Sequence, residues 1–143
     1  MAYKISTIAV WAGDVRNQPG MLARVLESLR NAGANLEFVV ARRVTENTSR
    51  VFVSPLKGAK QSKAAADVGM SQTAGMHTVR IEGPDRAGLG ADITRAIADA
   101  GINIRGMSSA SIAKKCVCNI AFASLEDAKR AIKAIKRSLA KKR

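Results

Sequence analysis

Apolar residues in this chain recur first at every second position, then at every third or fourth, then again at every second, and the whole succession occurs twice. Tyr3 to Ala12, rich in Ile, Val, Thr and Trp, predicts a strand. Gly13 to Gly20 supplies turn and cap residues, with Asn17 expected as a helix N-cap and Pro19 inside the first turn. In the helix that follows, Met21, Leu22, Val25, Leu26, Leu29 and Ala32 share one face and Arg24, Glu27, Arg30 and Asn31 the other; Gly33 ends it. Asn35 to Val44 and Arg50 to Ser54, joined by a polar turn at Thr45 to Thr48, predict a hairpin. Ala59 to Met70 predicts a helix of small side chains, and Ser71 to Gly75 a linker.

The pattern then restarts. His77, Val79 and Ile81 lie on one side of a strand, Asp85 stands where Asn17 stood, and Leu89, Ile93, Ile97 and Ala100 form the inward face of a helix. Ile102 to Ser111 and Lys115 to Ala123 predict a second hairpin about Ala113-Lys114. In the last helix Ser124 is the expected cap, with Leu125, Ala128, Ile132, Ile135 and Leu139 at three-to-four spacing. Residues 19–36 overlay on 87–104 without a gap: Gly20 meets Gly88, Gly33 meets Gly101 and Asn35 meets Asn103. This internal repeat divides the chain into modules 1–72 and 76–143.

Strand, helix, strand, strand, helix is the order of a split βαβ unit, an antiparallel sheet with helices on one face. The expected fold class is therefore α+β, two ferredoxin-like βαββα modules in tandem, each with its fourth strand short or missing. Neither Ser71 to Gly75 nor Lys141 to Arg143 is long or apolar enough to supply that strand. The bare first-strand edges should then pair, between halves or between chains, into one larger sheet.

Composition narrows the partners. The charge of +13, from 24 Lys and Arg against 11 Asp and Glu, would attract any polyanion. No apolar run approaches the roughly 20 residues of a membrane span and no secretory signal is visible, so a cytoplasmic location without membrane contact is the expectation. Cys116 and Cys118 fall on one face of a strand as small apolar residues, and the usual metal-ligand spacings are absent, so no metal is expected.

A strand followed by Asn17-Gln18-Pro19-Gly20-Met21-Leu22 opening a helix, then Ala32-Gly33-Ala34-Asn35-Leu36 entering a strand, resembles the ACT domain, a regulatory module that binds small molecules. In the second half the matching residues are Gly83-Pro84-Asp85-Arg86-Ala87-Gly88-Leu89, Ala100-Gly101-Ile102-Asn103-Ile104, and Ser124 to Ala128. The resemblance implies a non-catalytic tandem ACT protein, similar to the paired modules at the end of aspartate kinases. It would bind an amino acid or related metabolite and pass the signal through a homodimer or higher oligomer. Its site, carried over by position, comprises Asn17, Pro19, Gly20, Met21, Leu22, Asn35 and Leu36 in the first half. In the second half it comprises Asp85, Gly88, Leu89, Gly90, Asn103 and Ile104. Ala87 and Gly90 depart from the family pattern. Helix N-terminal N–H groups favour a carboxylate, and neutral Asn17 suits one better than Asp85 does.

Two alternatives stand beside this reading: a basic nucleic-acid-binding ferredoxin-like protein, and a regulatory subunit of a separate biosynthetic enzyme. Against the first, aromatics are 3% of the chain and no strand has the aromatic, basic and glycine pattern of an RNA-recognition strand. The basic residues of the last helix, opposite its apolar stripe, could also meet an acidic partner. An enzyme is not expected: there is one His, no nucleophile elbow, no phosphate loop and no dinucleotide fingerprint, and so no cofactor.

Overall fold

The computed structural model describes residues 2–72 and 76–141. Most of the expected linker, at 73–75, and the terminal Lys142 and Arg143 lie outside them. The chain forms two compact units, Ala9–Thr73 and a second made of Met1–Ile8 with Ala74–Arg143. Residues 2–8 thus pack with the second half, not with the first as the 1–72 boundary implied.

The Ala9–Thr73 unit contains β2 (Trp11–Arg16), α1 (Met21–Asn31), β3 (Phe38–Arg43), β4 (Thr48–Ser54), α2 (Gly58–Asp67) and β5 (Ser71–Gln72). Its antiparallel sheet has the order β3-β4-β2-β5. Val25 and Leu29 from α1, Val51 and Val53 from β4, Ala65 and Met70 form the buried core, with Trp11 and Val15 against it. The other unit contains β1 (Lys4–Ile8), β6 (His77–Pro84), α3 (Leu89–Asp99), β7 (Gly106–Ile112), β8 (Lys115–Phe122) and α4 (Leu125–Lys141). Its sheet order is β1-β6-β8-β7. The core joins Val79 and Ile81, Leu89, Ile93 and Ile97, Ile120 and Phe122, and Ile135 and Leu139.

The α+β class with antiparallel sheets and four helices matches the expectation. The fourth strands do not. Tyr3 to Ala12 is not one strand: β1 ends at Ile8, β2 starts at Trp11, and β1 completes the sheet of the other unit by pairing with β6. The linker supplies β5, which pairs Trp11 with Gln72 and Ala12 with Ser71. Each first-strand edge is thereby covered by a strand of the same chain, giving two four-stranded sheets in place of one larger sheet. Two glycines make room for this closure. A Cβ at Gly13 would stand 2.6 Å from the Gly69 carbonyl oxygen, and one at Gly83 would stand 2.5 Å from Tyr3 Cδ1. Both approaches are closer than a side chain tolerates.

The caps also differ. Gly20 and Gly88, at φ of 88° and 83°, are the N-caps of α1 and α3, and neither helix has a side-chain cap. Asn17 and Asp85 lie three residues before them, too early to cap, and Pro19 precedes the helix. The expected cap at Ser124 is present, its hydroxyl accepting the Asp127 N–H at 3.0 Å.

Candidate functional site

The two loops that enter α1 and α3 share one anchor. Asn17 N–H donates to the Asn47 carbonyl, and Asp85 N–H to the Lys114 carbonyl, both at 2.8 Å, so each loop is held by the turn of its own hairpin. The Asn17 amide adds two bonds: Nδ2 donates to the Glu46 carbonyl at 3.2 Å, and Oδ1 accepts from the Ser49 hydroxyl at 3.4 Å. Asn17 is therefore a clamp between loop and hairpin. Nothing stands within 4 Å of a Cβ built at Gly20 or Gly88. These glycines are required by left-handed backbone, and the space beside them is open.

The clamp closes one end of a small pocket of about 270 Å³. Val15, Arg16, Asn17 and Gln18 come from β2 and the loop, Met21 and Leu22 from α1, Ala41 to Arg43 from β3, and Ser49 and Val51 from β4. Val15 pairs with Ser49, Ser49 with Arg43, and Val51 with Ala41, so these five positions share the helix-covered face of the sheet. Arg42, of opposite parity, turns to the other face, its guanidinium 5.9 Å from the Phe52 ring centroid. No carboxylate lines the pocket. Among the described residues Arg16 and Arg43 have no acidic partner, and the N–H groups of Leu22 and Ala23 have no acceptor. The nearby Asp14 is paired with Arg50 at 2.7 Å, and that hydrogen bond holds its carboxyl below the usual range.

Of the first-half positions, Asn17, Met21 and Leu22 line the pocket, whereas Pro19, Gly20, Asn35 and Leu36 do not. The end of β3 faces the loop, because β2 ends where β4 begins and β3 ends. Asn35 and Leu36 precede β3 at the opposite end, Leu36 packing on the core. Arg43 and Ser49 escaped the sequence reading. The available signal was parity: Val51 faces the core, and the hairpin register puts Ala41, Arg43 and Ser49 on its side of the sheet.

The second-half positions are less open. Leu89 is a buried core residue, and Ile104 packs on the same core. The Asn103 side chain accepts the N–H of Ile104 at 3.1 Å. Asp92 lies in the first turn of α3 and binds Arg86 at 2.7 Å, so cation and helix terminus already have an anion; α1 has no acidic residue in its first turn. A larger cavity of about 970 Å³ in this unit is lined by residues such as Lys4, Glu82, Ile112 and Lys115, and by none of Asp85, Gly88, Leu89, Gly90, Asn103 and Ile104.

Cys116 and Cys118 face the core with their sulfurs 3.9 Å apart, Ser109 Oγ lies 3.1 Å from the second, and burial pushes the Cys118 thiol up. That agrees with their reading as small apolar residues. Among the described residues no three His, Cys, Asp or Glu side chains stand together as a metal site. No described helix is long and apolar enough to cross a membrane.

A family profile for the ACT domain matches residues 77–137. No curated protein sequence matches the chain. Among solved structures, protein BT0572 from Bacteroides thetaiotaomicron is similar at 19% identity with a TM-score of 0.78, over 92% of this chain and 90% of that one. The ligand-free regulatory subunit of aspartate kinase from Thermus thermophilus is similar at 17% identity and a TM-score of 0.67, over 96% and 97%. Aspartokinase III of E. coli, in complex with aspartate and ADP, is similar at 14% identity and 0.66, over 96% of this chain but 33% of that one. At these identities the likeness is one of fold. Residues 77–137 thus match the ACT domain, and the fold of the chain resembles that of the regulatory subunit of aspartate kinase.

Proposed function

We propose that this chain is a regulatory module with no chemistry of its own, that residues 9–72 form a second ACT module, and that the pocket beside Asn17 binds a small molecule bearing a carboxylate, an amino acid first of all. The observation that carries this reading is the pocket's charge: Arg16 and Arg43 at its wall, an α1 first turn without an acid, and no lining carboxylate. A carboxylate there gains the dipole of the α1 N-terminus and charge-assisted hydrogen bonds from a guanidinium. Asn17, already spent on the hairpin, acts by holding loop and hairpin in register around the ligand. Of the positions carried over from the family, Asn17, Met21 and Leu22 remain in the proposed site; the α3 loop serves structure. Binding would be transmitted by contacts with a second copy of the chain or with a separate enzyme.

Thermal unfolding in the presence of each common amino acid tests this. A ligand at about a hundred times its dissociation constant adds about 2.7 kcal/mol. One or a few amino acids should raise the midpoint, and Arg43→Gln should weaken the shift without lowering the unliganded midpoint. If no amino acid at millimolar concentration shifts the protein in any of its oligomeric states, the reading fails.

A further inference from the structure

The charge of α4 is left unbalanced by the fold. After Glu126 and Asp127 in its first turn the helix contains six basic residues and no acidic one up to Lys141. Its apolar stripe, including Ala128, Ala131, Ile135 and Leu139, is buried in the core, so Lys129, Arg130, Lys133, Lys136 and Arg137 stand on the outer face. Arg130 is tied down by Asp127 at 3.5 Å and by the Ala100 carbonyl at 2.6 Å. Lys129, Lys133, Lys136 and Arg137 are exposed, and among the described residues none has an ion-pair or hydrogen-bond partner. Lys129 with Lys133, and Lys133 with Arg137, are like charges four apart, and Lys133 with Lys136 three apart, which opposes the helix. Helix-dipole complementarity accounts only for cations in the last turn. Two other helices pair a cation with an acid four residues on: Lys63 with Asp67 on α2, and Arg95 with Asp99 on α3.

We propose that the outer face of α4 docks on the sugar-phosphate backbone of a nucleic-acid duplex without regard to sequence. A polyanion relieves the like-charge repulsion and releases its own counterions. The helix, 17 residues and about 25 Å long, can follow a backbone over several phosphates. A protein partner fits less well, since such interfaces have an apolar or aromatic centre and this face has none. A membrane fits less well because the apolar stripe that would insert is already in the core. A single strand would need stacking aromatics, which α4 lacks. This inference does not depend on the small-molecule pocket, which lies in the other unit.

The test is fluorescence anisotropy of the full chain with a mixed-sequence DNA duplex of about 20 base pairs, from about 50 to 200 mM salt. Log affinity should fall linearly with log salt, and Lys129→Gln/Lys133→Gln/Lys136→Gln should make the slope shallower by about 2.7. That variant should unfold at no lower temperature than the parent, since the three exposed side chains make no hydrogen bond or ion pair among the described residues, so lost binding could not be ascribed to lost fold. Arg24→Gln/Lys57→Gln/Lys60→Gln removes the same charge from exposed positions of the other unit and should leave the slope as it was. No binding at the lowest salt overturns the proposal, and so does an equal slope change in both variants, which would assign binding to diffuse charge.

Discussion

Replacing Gly83 by Ala and Gly90 by Ala, in the same compact unit, should shift stability in opposite directions. Gly83 sits on β6 where β1 arrives, and an added Cβ would stand 2.5 Å from Tyr3 Cδ1, 3.0 Å from the Ala2 carbonyl oxygen and 3.1 Å from Tyr3 Cα. Ordinary contact begins at 3.4 Å, so the start of β1 must retreat by most of an ångström. Retreat strains the bond from the Tyr3 hydroxyl to the Pro84 carbonyl, now 2.8 Å, worth about 0.5–1.5 kcal/mol. Overpacking adds about 1–3 kcal/mol, and the stiffer unfolded chain gives back about 0.4–1. The net expectation is a loss of about 2 kcal/mol. Gly90 has nothing within 4 Å of its Cβ position and lies in the first turn of α3, so Ala there should stabilise by about 0.5–1 kcal/mol. Urea unfolding followed by circular dichroism reads both. Adding Tyr3→Ala removes the nearest clash, so Gly83→Ala should cost less in that background; this coupling separates a local clash from general strand weakening. A neutral or stabilising Gly83→Ala, or a cost unchanged by Tyr3→Ala, would refute the account.

The hairpin between β7 and β8 turns through Ala113 and Lys114 at φ of 50° and 70°, which neither residue favours. Ala113→Asn with Lys114→Gly should therefore stabilise by about 1–2 kcal/mol in the same unfolding assay; no gain would mean that the turn is set by something other than local conformation. Asp14 supplies a pH dependence. Its carboxyl lies below its ordinary 3.8 because of the Arg50 hydrogen bond. The pairing therefore stabilises the fold fully above the unfolded value, and the contribution disappears as pH falls through the folded value. The stability difference between the parent and Asp14→Asn should be present at pH 7 and shrink below about pH 4, whereas a difference independent of pH would contradict the pairing.

What the sequence could and could not reveal follows from which interactions leave a trace in residue type. The repeat predicted both helices, because an apolar face of period 3.6 selects particular side chains, and it aligned Gly20 with Gly88 without revealing that each is a left-handed cap. The break between β1 and β2 left no such trace. Tyr3, Ile5, Trp11 and Val15 keep one parity throughout, although the first two pack in one core and the last two in the other. β5 closes its sheet with two exposed polar residues through backbone hydrogen bonds alone, which any sequence can make. Asn17 has the composition of a cap, but the bonds it makes go to a hairpin turn 30 residues away, which only the register of β2 on β4 brings near. The pocket wall is hidden for the same reason, since Arg43 and Ser49 become neighbours only through β3 on β4.

The two copies of the repeat differ in both chemistry and packing. The loop into α3 is neutralised from within by Arg86 and Asp92, and its helix sits on a core of 14 buried residues among those described. The loop into α1 keeps its cations and N–H groups uncommitted, over a core of six. Its second helix contributes one buried side chain, Ala65. Segments that respond to ligands come from the less stable part of a protein, because binding can shift only what is not already fixed. A carboxylate arriving beside Asn17 would join α1, the loop and the β3–β4 hairpin, three elements that rest on the smaller core. In this unit ligand binding would supply a larger share of the total stability than the same contact could in the other. Under the proposed function the open loop and the thin core beneath it would act together, and either alone would make a poorer sensor.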